Sequence, residues 1–413
     1  MGMSTRMTAV DAQFYWMSAK VPNDEFLIYA FDGEPTDFER AVEDVRDRAQ
    51  ACRALTVRVD DGSPLTYPSW VQTHPDPELV THHRLDDHSW TGCLDAVVRL
   101  ADDQLDIRRA PWRLHLFAPV HDLPGGTGPG TVAVMQAAHA LADGARGAAL
   151  AGWLFGRATP VPEVTASPGF LPWRAVNAVR AHRKLMRDAR AGLLGAAPGT
   201  RAALATNSRP AGARTVRTLV RQRGQLRGPT VTVAVLAAVS GALAGYLGDA
   251  AATLIAEVPM AKAGVPQAHN HFSNVTVGLY PGLERQARAE RIAADLSDAR
   301  ARAQHPAVRA ADRAFAAVPA PLLRWGVGHF DPDVRPAQVS GNTVVSSVFR
   351  GPGDLHFGAV PVLLTAGNPA LSPAMGLAHG VHGIGDTVAI TVHAAESAIG
   401  DVDDYLARLD AEL

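Results

Sequence analysis

The chain has 413 residues, a formal net charge of −2 and a sequence pI near 6.8, so its electrostatics make no case for nucleic-acid binding. A hydrophobic share of 47% with a charged share of 19% suits large buried surfaces, and the length suits two domains. The two cysteines, Cys52 and Cys93, lack Cys-x-x-Cys spacing, which argues against a disulfide framework or a thiolate zinc site and fits a reducing cytoplasm.

No apolar signal core follows Arg6, so no secretion signal is expected. Residues 8–17 form an amphipathic opening rich in aromatics. Phe26 to Phe31 reads as a strand closed by Asp32-Gly33. Thr36 followed by Glu39 has capping-box spacing, and Phe38, Val42, Val45, Ala49 and Cys52 give the following helix one apolar face. Short strands are expected at Leu55–Val59 and Leu79–Leu85, then a helix over 89–104. Residues 111–117 alternate like a half-buried strand, and a Gly/Pro loop at 123–130 follows.

Thr131 to Ala138 is an apolar run that delivers one histidine, His139, and then turns at Asp143-Gly144 into an alanine-rich helix. A lone imidazole at the end of a buried strand is either a hydrogen-bonded core histidine or a proton-transfer group. In His-x-x-x-Asp-Gly, Asp143 is placed to brace the turn and Gly144 to adopt a backbone angle that other residues avoid. Of the sixteen histidines, only His139 meets this pattern in full.

Pro160, Pro162, Pro168 and Pro172 mark residues 157–172 as a linker. The helix expected over Trp173–Leu194 is basic, with Arg174, Arg180, Arg183, Lys184, Arg187 and Arg190 against Asp188. It reads as a solvated face or as a contact for an anionic lipid surface or cofactor phosphates. In the second half, strands are expected at Thr215–Arg221, Thr253–Val258, Phe272–Leu279, Asn342–Val348, Gly358–Leu364, Met375–Val381 and Thr387–His393. Helices are expected at 230–247, at 284–304 and at the C-terminus, where Ile399, Val402, Leu406, Leu409 and Leu413 share one face. The stretch between Gly228 and Gly248 carries no charge, long enough to raise a transmembrane reading. Its Thr, Ser, Gly and Tyr residues make a buried core helix the better reading. Neither half shows a regular parallel crossover pattern, so each reads as an α+β layer.

Several of these segments resemble motifs of the bacterial wax ester synthase/diacylglycerol acyltransferase family. That family belongs to the CoA-dependent acyltransferases, with chloramphenicol acetyltransferase and peptide-synthetase condensation domains. Met7 to Phe14 is similar to its opening "LSPLDAMF", and Pro111 to Leu116 to its "PLWELHL" strand. His139 to Gly144 matches the second half of "HHxxxDG". Val235 to Leu243 resembles its core helix, and Asn270 to Pro281 keeps the spacing of a strand that begins "GN" and ends "LP". There are three departures: Ala138 replaces the first motif histidine, Thr232-Val233 replaces an "ND" pair, and Ser346 to Pro352 replaces "SNVPGP".

The resemblance implies two chloramphenicol acetyltransferase-like subdomains, at 1–157 and 206–413, joined by the linker and basic helix at 158–205. A tunnel would run between them with His139 at its middle. It further implies acyl transfer from acyl-CoA, a co-substrate rather than a resident cofactor, to a long-chain alcohol or diacylglycerol. His139 would be the general base, and Asp143 would hold the loop through an arginine the sequence does not identify. Asn270 matches a family Asn and is a candidate for orienting substrate or loop. A cytoplasmic protein with peripheral membrane or lipid-droplet contact is expected. Two alternatives stay open: a condensation-type enzyme using a carrier-protein thioester, and a non-catalytic lipid-binding relative. His269-x-His271 and His379-x-x-His382 lack a clustered third ligand, so no metal site is expected.

Overall fold

The structure is a computed structural model that describes residues 4–74, 76–164 and 169–413. The first half runs β1 (Ser4–Arg6), α1 (Ala9–Ser18), β2 (Glu25–Phe31), α2 (Phe38–Ala51), β3 (Val57–Asp60), β4 (Ser69–Gln72), β5 (Val80–His83), α3 (Trp90–Leu100), β6 (Trp112–Val120), β7 (Gly130–Ala137) and α4 (Gly144–Leu154). The expected strands and helices stand, and β1 and β4 add two that the apolar pattern missed. The capping box read at Thr36 and Glu39 is not what starts α2. Asp37 is the cap, and its carboxylate accepts from Arg40 N at 2.9 Å.

Pro168 of the linker lies outside the described residues. The basic helix is α5 (Leu171–Arg190), and none of its residues is buried. It rests on the helix at Pro306–Phe315, with Asp188 accepting from Lys184 Nζ and facing His305 Nε2 at 3.1 Å. Trp173, Val176, Val179 and Met186 are exposed among its arginines.

The second half runs β8 (Arg201–Ala202), β9 (Arg214–Gln222), α6 (Val231–Leu247), β10 (Ile255–Ala261), β11 (Phe272–Gly278), α7 (Arg285–Gln304), α8 (Pro306–Phe315), α9 (Ala320–Gly328), β12 (Gln338–Val339), β13 (Thr343–Phe349), β14 (His356–Phe357), β15 (Val360–Asn368), β16 (Leu377–Ile384), β17 (Thr387–Ala395) and α10 (Val402–Glu412). The uncharged stretch is α6. By length and hydropathy it could cross a membrane, yet Val233 to Ser240 are all buried and α7 and α10 pack on it. It is a core helix.

Two six-stranded sheets organise the molecule. One has the order β14-β15-β2-β7-β6-β5 and the other β11-β10-β13-β16-β17-β9. The first sheet contains two strands from the second half of the chain, because β15 pairs antiparallel with β2 from Asn368↔Phe26 to Val362↔Phe31. A boundary drawn at residue 206 puts residues 356–368 with the second half; hydrogen bonding puts them in the first sheet.

Strand alternation splits β2 between two cores. Leu27, Tyr29 and Phe31 pack with α2 and α4, while Phe26, Ile28 and Ala30 pack with α3 and with Val216 and Ala389 of the second sheet. That shared core fastens the halves together next to the end of β7, where the site lies.

Candidate active site

Strand β7 is buried along its whole length and ends at Ala137, opposite Glu25 of β2 and Trp112 of β6. The chain then makes a tight turn, with Leu141 N donating to Ala138 O at 2.8 Å. Ala138 is buried in the first core, where a second imidazole would have no water. His139 alone leaves the turn toward solvent, with 19% of its side chain exposed.

Asp143 ends the turn by capping α4. Its Oδ1 accepts from Arg146 N at 2.9 Å and its Oδ2 from His271 N, across the subdomain junction, at 2.8 Å. The brace is therefore two backbone amides rather than the arginine side chain implied by the resemblance. Arg146 instead donates to Leu141 O and Pro162 O. Gly144 also departs from expectation. It opens α4 as a helical residue and is not among the positive-φ residues. What its lack of a side chain permits is a close approach: a Cβ would lie 3.0 Å from Val348 Cγ2 of β13.

Asn270 lies two residues before β11 and is buried. Its Nδ2 donates to Asp11 Oδ1 at 3.0 Å and to the His139 carbonyl at 2.7 Å. With both amide protons used, its Oδ1 faces His139 Nδ1 at 2.8 Å and accepts from it. The network thus assigns the proton to Nδ1 and leaves the lone pair on Nε2. Asp11 anchors the arrangement, also accepting from the amides of His269 and Asn270 and from Thr8 Oγ1. Phe14, one turn further along α1, stacks on the imidazole with ring centroids 4.1 Å apart, and Phe272 lies on it at 5.8 Å.

Sequence reasoning named His139, Asp143, Gly144 and Asn270, and the fold brings all four to one junction. It missed Asp11, although Thr8 three residues earlier marks a helix cap, and it missed Glu25, the lone acid at the head of an apolar strand. Glu25 Oε1 lies 3.6 Å from His139 Nε2, and burial pushes its carboxyl pKa up, with the facing imidazole pulling the other way.

Thr232 Oγ1 meets Ser347 Oγ at 2.9 Å, tying the start of α6 to β13, while Val233 is core. The two histidine pairs face different surroundings. His379 is held between Thr343 Oγ1 and Tyr405 OH, and His382 is buried near Arg350. The His269 ring packs by Trp70, and the His271 amide holds Asp143. Among the described residues, no cluster of His, Cys, Asp or Glu could hold a metal ion. Cys52 and Cys93 are free and buried. A cavity of about 410 Å³ is bordered by Asp11, His269, Arg146, Trp70 and Trp153, and one of about 250 Å³ by Lys20, Asp24, Asn368 and His393. His139 lines neither.

No protein-family model matches the chain, and no curated protein matches it. Solved structures do. The wax ester synthase/diacylglycerol acyltransferase from Marinobacter aquaeolei VT8 matches with a TM-score of 0.64 and 18% identity, over 99% of this chain and 98% of that one. The first condensation domain of the CDA synthetase matches with a TM-score of 0.61 and 17% identity, over 99% and 95%. A variant of the starter condensation domain of rhizomide synthetase, in complex with C8-CoA and Leu-SNAC, matches with a TM-score of 0.59 and 14% identity, over 99% and 92%. The chain has the two-subdomain chloramphenicol acetyltransferase-like fold.

Proposed function

We propose that this protein is an O-acyltransferase that moves a fatty acyl group from acyl-CoA to an alcohol, a long-chain alcohol or diacylglycerol. The observation that carries the reading is the Asn270 contact to His139 Nδ1, which leaves the lone pair on Nε2 of a partly exposed ring. Nε2 takes the proton of the acceptor hydroxyl as its oxygen attacks the thioester carbonyl. The C–S bond breaks, and the CoA thiolate leaves and recovers the proton from the imidazolium. CoA thiolate is a good leaving group, so a positioned base suffices without an acyl-enzyme. Asp143, Gly144, Asn270 and Asp11 serve as positioning residues.

The shared fold supports acyl transfer. Its likeness to condensation domains also supports a second reading, in which a carrier-protein thioester is the donor and an amine or alcohol the acceptor. The protein works in the cytoplasm, with α5 as the contact to an anionic lipid surface that supplies the acceptor. The test is CoA release and product mass with a panel of acyl-CoAs, long-chain alcohols and diacylglycerol, run beside the same acyl groups on a carrier protein. Ester from acyl-CoA supports the first reading. Turnover confined to the carrier-bound donor supports the second.

A further inference from the structure

Glu25 is a buried-strand residue that the reaction above does not use. It heads β2, whose other six residues, Phe26 to Phe31, are all buried, and its register opposite Ala137 sets it beside the turn that carries His139. Its side chain is 24% exposed, and its Oε1 lies 3.6 Å from His139 Nε2. Among the described residues it accepts no hydrogen bond, and the neutral His139 ring is the one basic side chain within 4 Å of it. Arg350 acts on it only at longer range, being engaged with Thr365 Oγ1, with the Ala366 carbonyl and with the face of Tyr29. Asp143, the other acid in its surroundings, is satisfied by the amides of Arg146 and His271.

A partly exposed carboxylate with no protein donor is hydrated on its accessible surface, and a ligand that displaces that water has to supply a donor in its place. His139 Nε2, the ring nitrogen left with a lone pair, lies 3.6 Å from it. Whatever binds against Nε2 therefore also meets the Glu25 carboxylate.

We infer that Glu25 selects acceptors that carry a protonated amine beside the nucleophilic hydroxyl, the vicinal amino alcohol class. The inference rests on the acyl-transfer reading above. The acceptor hydroxyl donates to Nε2 and the ammonium N–H donates to Glu25, as a charge-assisted hydrogen bond. Two groups bonded to atoms 3.6 Å apart are themselves a few ångströms apart, a separation that two adjacent carbons span. In the reaction the hydroxyl proton passes to Nε2, the O–C bond forms, the C–S bond breaks and CoA leaves as the thiol. The ammonium is unchanged. A neutral alcohol performs the same step but leaves the carboxylate unpaired. Phe14 and Phe272 give the remainder of the acceptor an apolar wall.

The experiment compares kcat/KM for two dodecane-chain acceptors with one acyl-CoA at neutral pH. One acceptor is a vicinal diol. The other is the matching dimethylamino alcohol, which is protonated yet cannot form an amide. The wild type should favour the amino alcohol by about ten- to a hundredfold, the ratio a hydrogen bond to a charged group supplies. Glu25→Gln should bring that ratio close to one, and Glu25→Asp should retain part of it. If Glu25 merely steadied the imidazolium, both acceptors would suffer equally and the ratio would survive Glu25→Gln. That result overturns the inference, as does an absence of preference in the wild type, which needs no variant to fold. Transfer to neither acceptor overturns the acyl-transfer reading itself and this inference with it.

Discussion

Nδ1 of His139 can only donate, because Asn270 has committed both of its amide protons to Asp11 and to the His139 carbonyl. That one constraint gives an ambiguous imidazole a defined free nitrogen, the one the proposed mechanism uses as its base. Spacing picked out His139 and Asp143 and the family resemblance Asn270, but a tautomer depends on which atoms a partner has left unpaired. Partners 131 residues apart in the chain carry no local signal of that. Five buried histidines elsewhere in the molecule resist protonation. His115, His269, His379 and His393 are held by burial at a pKa of about 4, and burial beside Arg350 pushes His382 well below its ordinary 6.5. Between pH 6.5 and about 4 the unfolded chain binds protons at these positions that the folded chain refuses. Stability therefore falls as pH drops through that window. Asp24 and Glu25, raised by burial, act in the opposite sense, but they are fewer. The Tm should decline steeply from neutral pH toward pH 4, and a flat profile there would contradict the buried, neutral histidines.

At the scale of elements, the β7–turn–α4 unit was legible because an unbroken apolar run, a turn and an Asp cap are all local features. The α2 cap was misplaced by one residue, since Thr36 and Asp37 are both capping types and only geometry chooses between them. The reading of Gly144 failed for a different reason: its neighbour Val348 lies in a strand two hundred residues away. This yields a sign test. Gly144→Ala should lower the Tm, because overpacking typically costs about 1–3 kcal/mol. In a Val348→Ala background the same change should be neutral or stabilising, since Ala is favoured over Gly in a helix by roughly 0.5–1 kcal/mol. Equal effects in both backgrounds would mean that the approach to β13 is not what requires glycine. For α5, the exposed Trp173, Val176, Val179 and Met186 interleave with Arg180, Arg183, Arg187 and Arg190. Vesicle binding should rise with phosphatidylglycerol content and collapse with salt. Binding indifferent to both would leave α5 a solvated face.

For the whole molecule, the alternation of strands and helices announced two α+β halves, but not that β14 and β15 cross into the first sheet. A strand's sequence specifies that it will pair, not with whom. The crossing matters for the site. It seats β15 on β2 and holds Glu25, His139 and the Asn270 loop in one junction fed by both halves. The Asp11 and Asp143 contacts to residues 269–271 close the same junction from α1 and α4. A site built this way depends on both subdomains staying docked, so under the proposed mechanism stability and rate are separable only at His139 itself. The ring's removal takes away the base while the braces at Asp11 and Asp143 keep their backbone partners. The most direct measurement is acceptor-dependent CoA release by wild type and His139→Ala, with a melting curve for each. The account predicts a loss on the order of 10²–10⁴ in rate, with a Tm close to that of the wild type. Equal rates of acceptor-dependent CoA release in the two proteins would contradict it.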